Sequence, residues 1–355
     1  MMNITEFITQ ALLQAQKYTD QITVIFLANV QGKTKNTQDY IGTSIETEFF
    51  SMDEYEELLI SLQEFGFYTL TYFNCNEFIR DYYAHNFSKQ TLLLFEGTQK
   101  GIGCAKDALI PSFCDLESLF HTGSNAFFNS ICSNKYLWTK ILEQHNLPVP
   151  FSWKYDANYG WLFNEKPCEK MLLIAKPIYE CASIGITQES VDKWSLDYEK
   201  ILYKKSIQYK QPFIVQQFID GYEVEVPIII QKKAPYILPP VVLTKGEEPC
   251  MGKRFLDFNN IFQDEYEFCL LKKINDTWVV AIENYIQQIV QLLELDGYAR
   301  VDFRITNTGE FFITDINSYP HIVKHSSFAF AFHAAGFDKS LLAPCVIGSR
   351  LLEIF

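Results

Sequence analysis

The sequence predicts a mixed α/β and α+β fold in three lobes, and three features carry that prediction. Short β-rich runs alternate with helical stretches through the first third of the chain. Pro148 and Pro150 then force extended backbone directly after a helical segment. Towards the C-terminus a long amphipathic segment delivers the chain to two alternating runs, residues 299–305 and 311–317, that read as a β-hairpin. At 355 residues the chain exceeds one comfortable core, so packed lobes are expected.

In the first lobe, residues 1–130, positions 1–22 set Glu6, Gln10, Gln14 and Gln16 among apolar residues, the pattern of an amphipathic helix rather than a signal peptide. A strand at 22–27, a helix at 52–65, a strand at 67–73, a helix at 77–84 and a strand at 91–95 follow in a βαβ rhythm, implying a Rossmann-like parallel sheet. In the second lobe, residues 131–222, a helix at 133–144 ends in the proline pair, and strands at 171–175 and 213–217 flank a charged, helix-prone stretch at 190–209. This is a small α+β lobe. The third, residues 223–355, opens near a strand at 224–230 and contains the helix 276–293, whose Val279, Ile282, Ile286, Ile289, Val290 and Leu293 recur near helical spacing before the hairpin.

Composition excludes several function classes. The net charge of −13 repels a phosphodiester backbone, and no basic, aromatic-interleaved cluster offsets it, so nucleic acid is not an expected partner. The longest apolar runs fall far short of the ~20 residues of a membrane helix. Nine cysteines, an odd number without CxxC spacing, read as free thiols in a reducing compartment, and the expected setting is the cytoplasm.

The chemistry concentrates in the hairpin. Period-two alternation puts Arg300 and Asp302 on one face and Asp315 and Asn317 likewise on one face. A two-residue turn at Thr308-Gly309 sets Asp302 opposite Asp315 and Arg300 opposite Asn317. Two carboxylates and a carboxamide make an oxygen-rich site suited to a hard cation such as magnesium, with the arginine placed for an anion; the alternative is a solvated face of ordinary salt bridges. Lys176 ends the run 171–175 just before Pro177, and Ser183-Ile184-Gly185-Ile186 follows, a lysine and small-residue loop of the kind that binds phosphate. Lys135 stands near a helix start, and Gln216, Gln217, Phe218 and Ile219 lead through Asp220-Gly221 to Glu223, a strand and turn able to meet a purine edge and a ribose. Equally, Glu223 and Glu225 fit the solvated face of a strand.

In this order the motifs resemble the ATP-grasp superfamily, most closely its D-alanine:D-alanine ligase branch, from about residue 91 to 355. The resemblance includes Asp107-Ala108-Leu109-Ile110-Pro111 leading to His121-Thr122-Gly123-Ser124, and Asp315-Ile316-Asn317-Ser318-Tyr319-Pro320, similar to the family's Glu-x-Asn-x-x-Pro. It implies ATP between the second and third lobes. Lys135 and Lys176 would hold its phosphates, Ser183 and Ile184 would lie in the loop closing over them, Gln216, Gln217 and the Ile219 backbone would meet adenine, and Glu223 ribose. Asp302, Asp315 and Asn317 would ligate two magnesium ions, with manganese as a substitute. Arg300, with a backbone N–H near His321, would stabilise charge at the reacting centre, and Ser326 would grip a substrate carboxylate. The implied activity joins a carboxylate and an amine of small amino-acid-like substrates through an acyl phosphate, in a homodimer. A silent ATP-binding regulator and a small-molecule kinase are the alternatives.

Four departures stand out. Ala28-Asn29-Val30-Gln31-Gly32-Lys33 after the first strand lacks the family's serine and glutamate for the first substrate's ammonium. Ile261 falls where a mobile-loop lysine is usual, with Lys253 or Arg254 as the alternative cations, Asp315 replaces glutamate, and His321 replaces glycine.

Overall fold

Hydrophobic patterning sorts the strands into three sheets taken in chain order. The computed structural model describes residues 3–35, 39–40, 44–84, 87, 91–98, 101–104, 106–246, 248–263 and 265–355. The first sheet holds β1 (Ile22–Ala28), β2 (Tyr68–Tyr72), β3 (Thr91–Gly97) and β4 (Phe120–His121), all parallel, in the order β2-β1-β3-β4. β1 is buried along its whole length because helices cover both faces. Val24 and Phe26 enter one core, while Ile25 and Leu27 enter another.

The helices Ile4–Lys17 and Leu342–Ile354 cross on the first of those cores. Their backbones meet at Gly348, where a Cβ would lie 1.9 Å from the Ala11 carbonyl oxygen. Gly348→Ala must push the helix backbones away from each other rather than displace a flexible side chain. It is expected to destabilise the fold by about 3 kcal/mol, read as a lower urea midpoint. An unchanged midpoint would show that the crossing has slack.

The second sheet is antiparallel and comprises β5 (Ser152–Asp156), β6 (Gly160–Trp161), β7 (Leu172–Pro177), β8 (Val191–Lys193) and β9 (Phe213–Gln217), ordered β6-β5-β9-β7-β8. Alternation sends Leu173, Ala175, Phe213 and Val215 beneath the helix Leu196–Tyr209 and leaves Ile174, Lys176 and Gln216 facing a cavity. The helix expected over 190–209 is shorter than its charge pattern implies. Residues 191–193 pair with β7, and the helix starts after Ser195, whose hydroxyl accepts from the Tyr198 N–H.

The third sheet contains β10 (Tyr222–Gln231), β11 (Ala234–Ile237), β12 (Val241–Thr244), β13 (Glu267–Leu270), β14 (Gly297–Ile305) and β15 (Phe311–Asn317). The helix Asp276–Leu293 packs Ile282, Ile286, Ile289 and Leu293 onto one face, against Val224, Val226, Val301 and Phe303. The other face carries Glu223 and Glu225 of β10, opposite Arg304 and Asp302 of β14.

The hairpin corrects one expectation and preserves its consequence. Ile305 pairs with Phe311, Thr306 N–H donates to the Glu310 carbonyl, and Gly309 adopts φ 86°, so the loop is Asn307-Thr308-Gly309 rather than a two-residue turn. That moves the register by one residue. A bulge at Thr314 moves it back: Phe303 faces Ile313, whereas Asp302 faces Asp315 and Arg300 faces Asn317. The two offsets cancel where the polar residues lie.

None of the nine cysteines is in a disulfide, and among the described residues no helix is long and apolar enough to cross a membrane.

Candidate active site

A cavity of about 520 Å³ lies between the second and third sheets and extends to the first turn of the helix Met52–Phe65. β14 and β15 supply its floor. Arg300 donates to both carboxylate oxygens of Asp302, Nε to Oδ1 and Nη2 to Oδ2, each at 2.8 Å, and its Nη2 lies 3.1 Å from Glu225 Oε1. Lys135 Nζ reaches across from the start of its helix to both oxygens of Asp315, at 2.7 and 2.8 Å. The Asn317 Oδ1 accepts from the Tyr319 N–H at 2.9 Å, which orients the carboxamide.

These pairs fix the charge states. Burial pushes the Asp315 carboxyl up, but Lys135, Lys176 and Arg300 outweigh it and leave the group below its ordinary range. Burial likewise works to discharge Lys135, and Asp315 keeps it charged. Burial drives Glu225 up to about 7 against the pull of Arg300. Lys176 differs from Lys135: its Nζ has the Thr314 carbonyl at 3.4 Å, and burial lowers its pKa from the usual lysine value. A desolvated ammonium with so weak a partner is a binding point for an anion.

The remaining sequence-predicted residues reach the same cavity. Gln216 is buried, its Nε2 donating to Ser152 Oγ at 3.2 Å. Gln217, Phe218 and Ile219 continue the wall, and Glu223 pairs with Arg304 at 2.6 Å. Ser183 has a left-handed backbone, φ 55°, and its Oγ lies 3.5 Å from the Leu256 carbonyl oxygen. The Ile184 side chain belongs to the core under the second sheet, so only its backbone can meet a ligand, and its N–H donates to the Cys181 carbonyl. Ser326 caps the helix Ser327–Ala334: its Oγ accepts from the Ala329 N–H at 3.1 Å and donates to the Val323 carbonyl at 2.7 Å. A substrate grip by this hydroxyl competes with the cap. The side chain of Ile261 lies outside the described residues.

Two residues escaped the motif reading. Glu225 sits two positions after Glu223 and is the buried third member of the Arg300 cluster; period-two alternation on β10 was the available signal. Glu54 lines the cavity near His321, Nδ1 to Oε1 4.0 Å. It closes a capping box with Ser51, and Ser51-Met52-Asp53-Glu54 is the S-x-x-E signal that could have found it. The chain reaches it only after the connection 29–51, so this serine and glutamate stand at the start of the next helix and not directly after β1.

A buried network supports Asn317 from behind. Tyr319 OH donates to Glu96 Oε2 at 2.8 Å and accepts from Asn129 Nδ2 at 2.9 Å. Burial raises the Glu96 pKa to about 8, with Asp107 adding to the rise and Tyr319 and Thr98 opposing it. The folded state therefore holds this proton more tightly than the unfolded chain. The associated stability is complete below pH ~4.5 and disappears as pH rises to about 8. Glu96→Gln cannot ionise and is expected to flatten that decline, giving a protein more stable than the parent at pH 9 by a few kcal/mol. Urea midpoints at pH 5 and 9 test it; parallel losses in both proteins would assign the decline elsewhere.

The three-sheet arrangement, with a cavity between an antiparallel lobe and a second antiparallel sheet backed by a long helix, is the ATP-grasp fold. It is similar to the structure of D-alanine–D-alanine ligase from Bacillus anthracis complexed with ATP, TM-score 0.69 at 14% identity, covering 94% of this chain and 98% of that one. A second structure of D-alanine–D-alanine ligase from Bacillus anthracis gives 0.66 at 16% identity, covering 94% and 97%. The chain belongs to the family described as D-ala D-ala ligase C-terminus, whose model matches residues 161–347. Among curated relatives, D-alanine–D-alanine ligase of Aquifex aeolicus is 23% identical over 248 residues, 68% of this chain and 77% of the relative. That of Acidovorax ebreus is 25% identical over 253 residues, 70% and 72% of the two chains.

Proposed function

We propose that this protein is an ATP-dependent carboxylate–amine ligase, D-alanine–D-alanine ligase-like, that joins two amino-acid-like substrates through an acyl phosphate. The observation that carries the reading is the convergence of Lys135, Lys176, Arg300, Asp302, Asp315 and Asn317 on one cavity. Lys176 supplies an under-partnered cation to the ATP phosphates, and Lys135 can share its charge between Asp315 and the same phosphates. Gln216, Gln217, Ile219 and Glu223 form the wall for adenine and ribose.

Among the described residues no three His, Cys, Asp or Glu side chains converge as a metal site by themselves. Asp302, Asp315 and Asn317 nevertheless fit magnesium, which commonly takes one or two carboxylates and completes its shell with substrate phosphate oxygens and water. Bound there, magnesium would neutralise charge on the phosphates. A substrate carboxylate oxygen attacks the γ-phosphorus and ADP leaves. The neutral amine then attacks the acyl carbon, phosphate departs and takes up the proton lost by the amine nitrogen, with Arg300 placed for the oxyanion. Glu54 offers a carboxylate for the first substrate's ammonium.

The test measures ADP and phosphate release across a panel of amino-acid pairs, with products read by mass spectrometry. An amide formed with ADP supports the reading, whereas a stable phosphorylated product makes the protein a kinase. ATP binding without turnover on any pair makes it a silent binder. The same reading carries the homodimer, which light scattering of the purified chain tests.

A further inference from the structure

The connection between β1 and the helix Met52–Phe65, residues 29–51, far exceeds the roughly two to six residues usual between strand and helix in such a sheet. Its described residues are built into the molecule. Val30 bridges Phe50, and the Gln31 N–H donates to the Phe50 carbonyl at 2.9 Å. Thr47 and Phe49 line the cavity, while Glu48 between them is buried.

Glu48 binds a different lobe. Its Oε1 accepts from the Cys181 N–H at 3.0 Å, and its Oε2 from Lys106 Nζ at 2.9 Å. Lys106 also donates to Glu180 Oε2 at 3.2 Å. The far oxygen of Glu180 accepts from Tyr40 OH, of the same connection, and from Gln211 Nε2 at 2.9 Å. The Lys106, Glu48 and Glu180 side chains are 2%, 0% and 0% exposed, so the cluster is a desolvated clamp rather than a surface pair. Directly after it, Ala182 and Ser183 take left-handed backbone angles, φ 47° and 55°, which non-glycine residues hold only when their surroundings enforce them.

We infer that Glu48, supported by Lys106 and Tyr40, is a positioning residue: it holds the Cys181–Ser183 turn against the cavity and couples it to a substrate lying on Thr47 and Phe49. That the turn faces phosphate rests on the ligase reading; that Glu48 holds it does not. Because Glu48 lies between two cavity-lining residues, a substrate seated against them braces the carboxylate that fixes the turn. Substrate and nucleotide are therefore expected to bind with positive cooperativity.

The test uses Glu48→Gln and Tyr40→Phe in the full chain. Glutamine keeps the shape and leaves the Lys106–Glu180 pair intact, yet whichever way its amide turns, its NH₂ faces either the Cys181 N–H or the Lys106 ammonium. Tyr40→Phe removes only the hydroxyl on Glu180. In Glu48→Gln the amides of 181–186 are expected to exchange roughly tenfold faster. Affinity for a non-hydrolysable ATP analogue with magnesium is expected to fall by a similar factor, with smaller changes in Tyr40→Phe; Glu48→Gln also loses a buried charge and melts lower, so exchange and affinity are compared at temperatures equally far below each protein's melting point. Unchanged exchange overturns the inference. So does faster exchange with unchanged analogue affinity, or an activity loss that merely tracks a fall in melting temperature. If the parent itself binds no ATP analogue, the ligase reading fails, and the exchange measurement still decides whether Glu48 holds the turn.

Discussion

Asp315→Asn is expected to lower kcat/KM for amide formation by roughly 10²–10⁴-fold, the several kcal/mol that an oxygen-ligated metal supplies to phosphoryl transfer. Asparagine keeps the shape of the side chain and the bulged register of β15, so the fold has no steric reason to change. What disappears is one negative charge that three cations share. Lys135, Lys176 and Arg300 all hold Asp315 in its ionised form, and Lys135 bonds both its oxygens. Without that carboxylate, Lys135 is a buried ammonium with a single amide oxygen, and it should bind phosphate more firmly while magnesium binds less well. The expected signature is therefore a collapse of kcat with a magnesium requirement shifted to higher concentration, and ATP-analogue affinity retained or increased in the absence of magnesium. If kcat stays within a few-fold of the parent, Asp315 is a structural partner of Lys135 and the metal assignment fails.

The extent to which this site was legible depends on the range of the signals involved. β1, the helices 52–65 and 276–293, and the strands around Lys176 and Gln216 are set by local periodicity, and the structure forms them where that periodicity lies. Local chemistry also announced Arg300, Asp302, Asp315 and Asn317. Their alignment, however, arises from two shifts of register, a three-residue loop and the Thr314 bulge, neither of which the alternation pattern encodes. Glu54 was hidden by the connection 29–51: spacing along the chain says nothing of a carboxylate that returns to the cavity after a long detour. The burial of Glu225 and Glu48 was hidden for a related reason. A glutamate reads as exposed until its cation is known, and those cations, Arg300 and Lys106, come from distant segments. The pairing of Lys135 with Asp315 is of the same kind, linking residues 180 positions apart.

Arg300→Met is expected to cost about 3–5 kcal/mol of stability at neutral pH and, separately, roughly 10²–10³-fold in kcat. The stability loss arises because Glu225 and Asp302 are left facing one another in a buried place with no cation between them. Burial already raises both carboxyl groups, and Arg300 is the leading opponent of that rise in each. Removing it lifts their folded-state pKa values further above the unfolded ones, so the added penalty vanishes at low pH, where both states are protonated, and grows as pH rises. Arg300→Met should thus approach the parent's stability near pH 4 and diverge from it by pH 8. Adding Glu225→Gln removes one of the two stranded charges and should recover much of the neutral-pH stability. It cannot return a guanidinium to the reacting centre, so the double variant should fold well and remain slow. Recovery of kcat along with stability would mean that Arg300 serves only to neutralise its neighbours, and the oxyanion role would have to pass to another donor in the cavity.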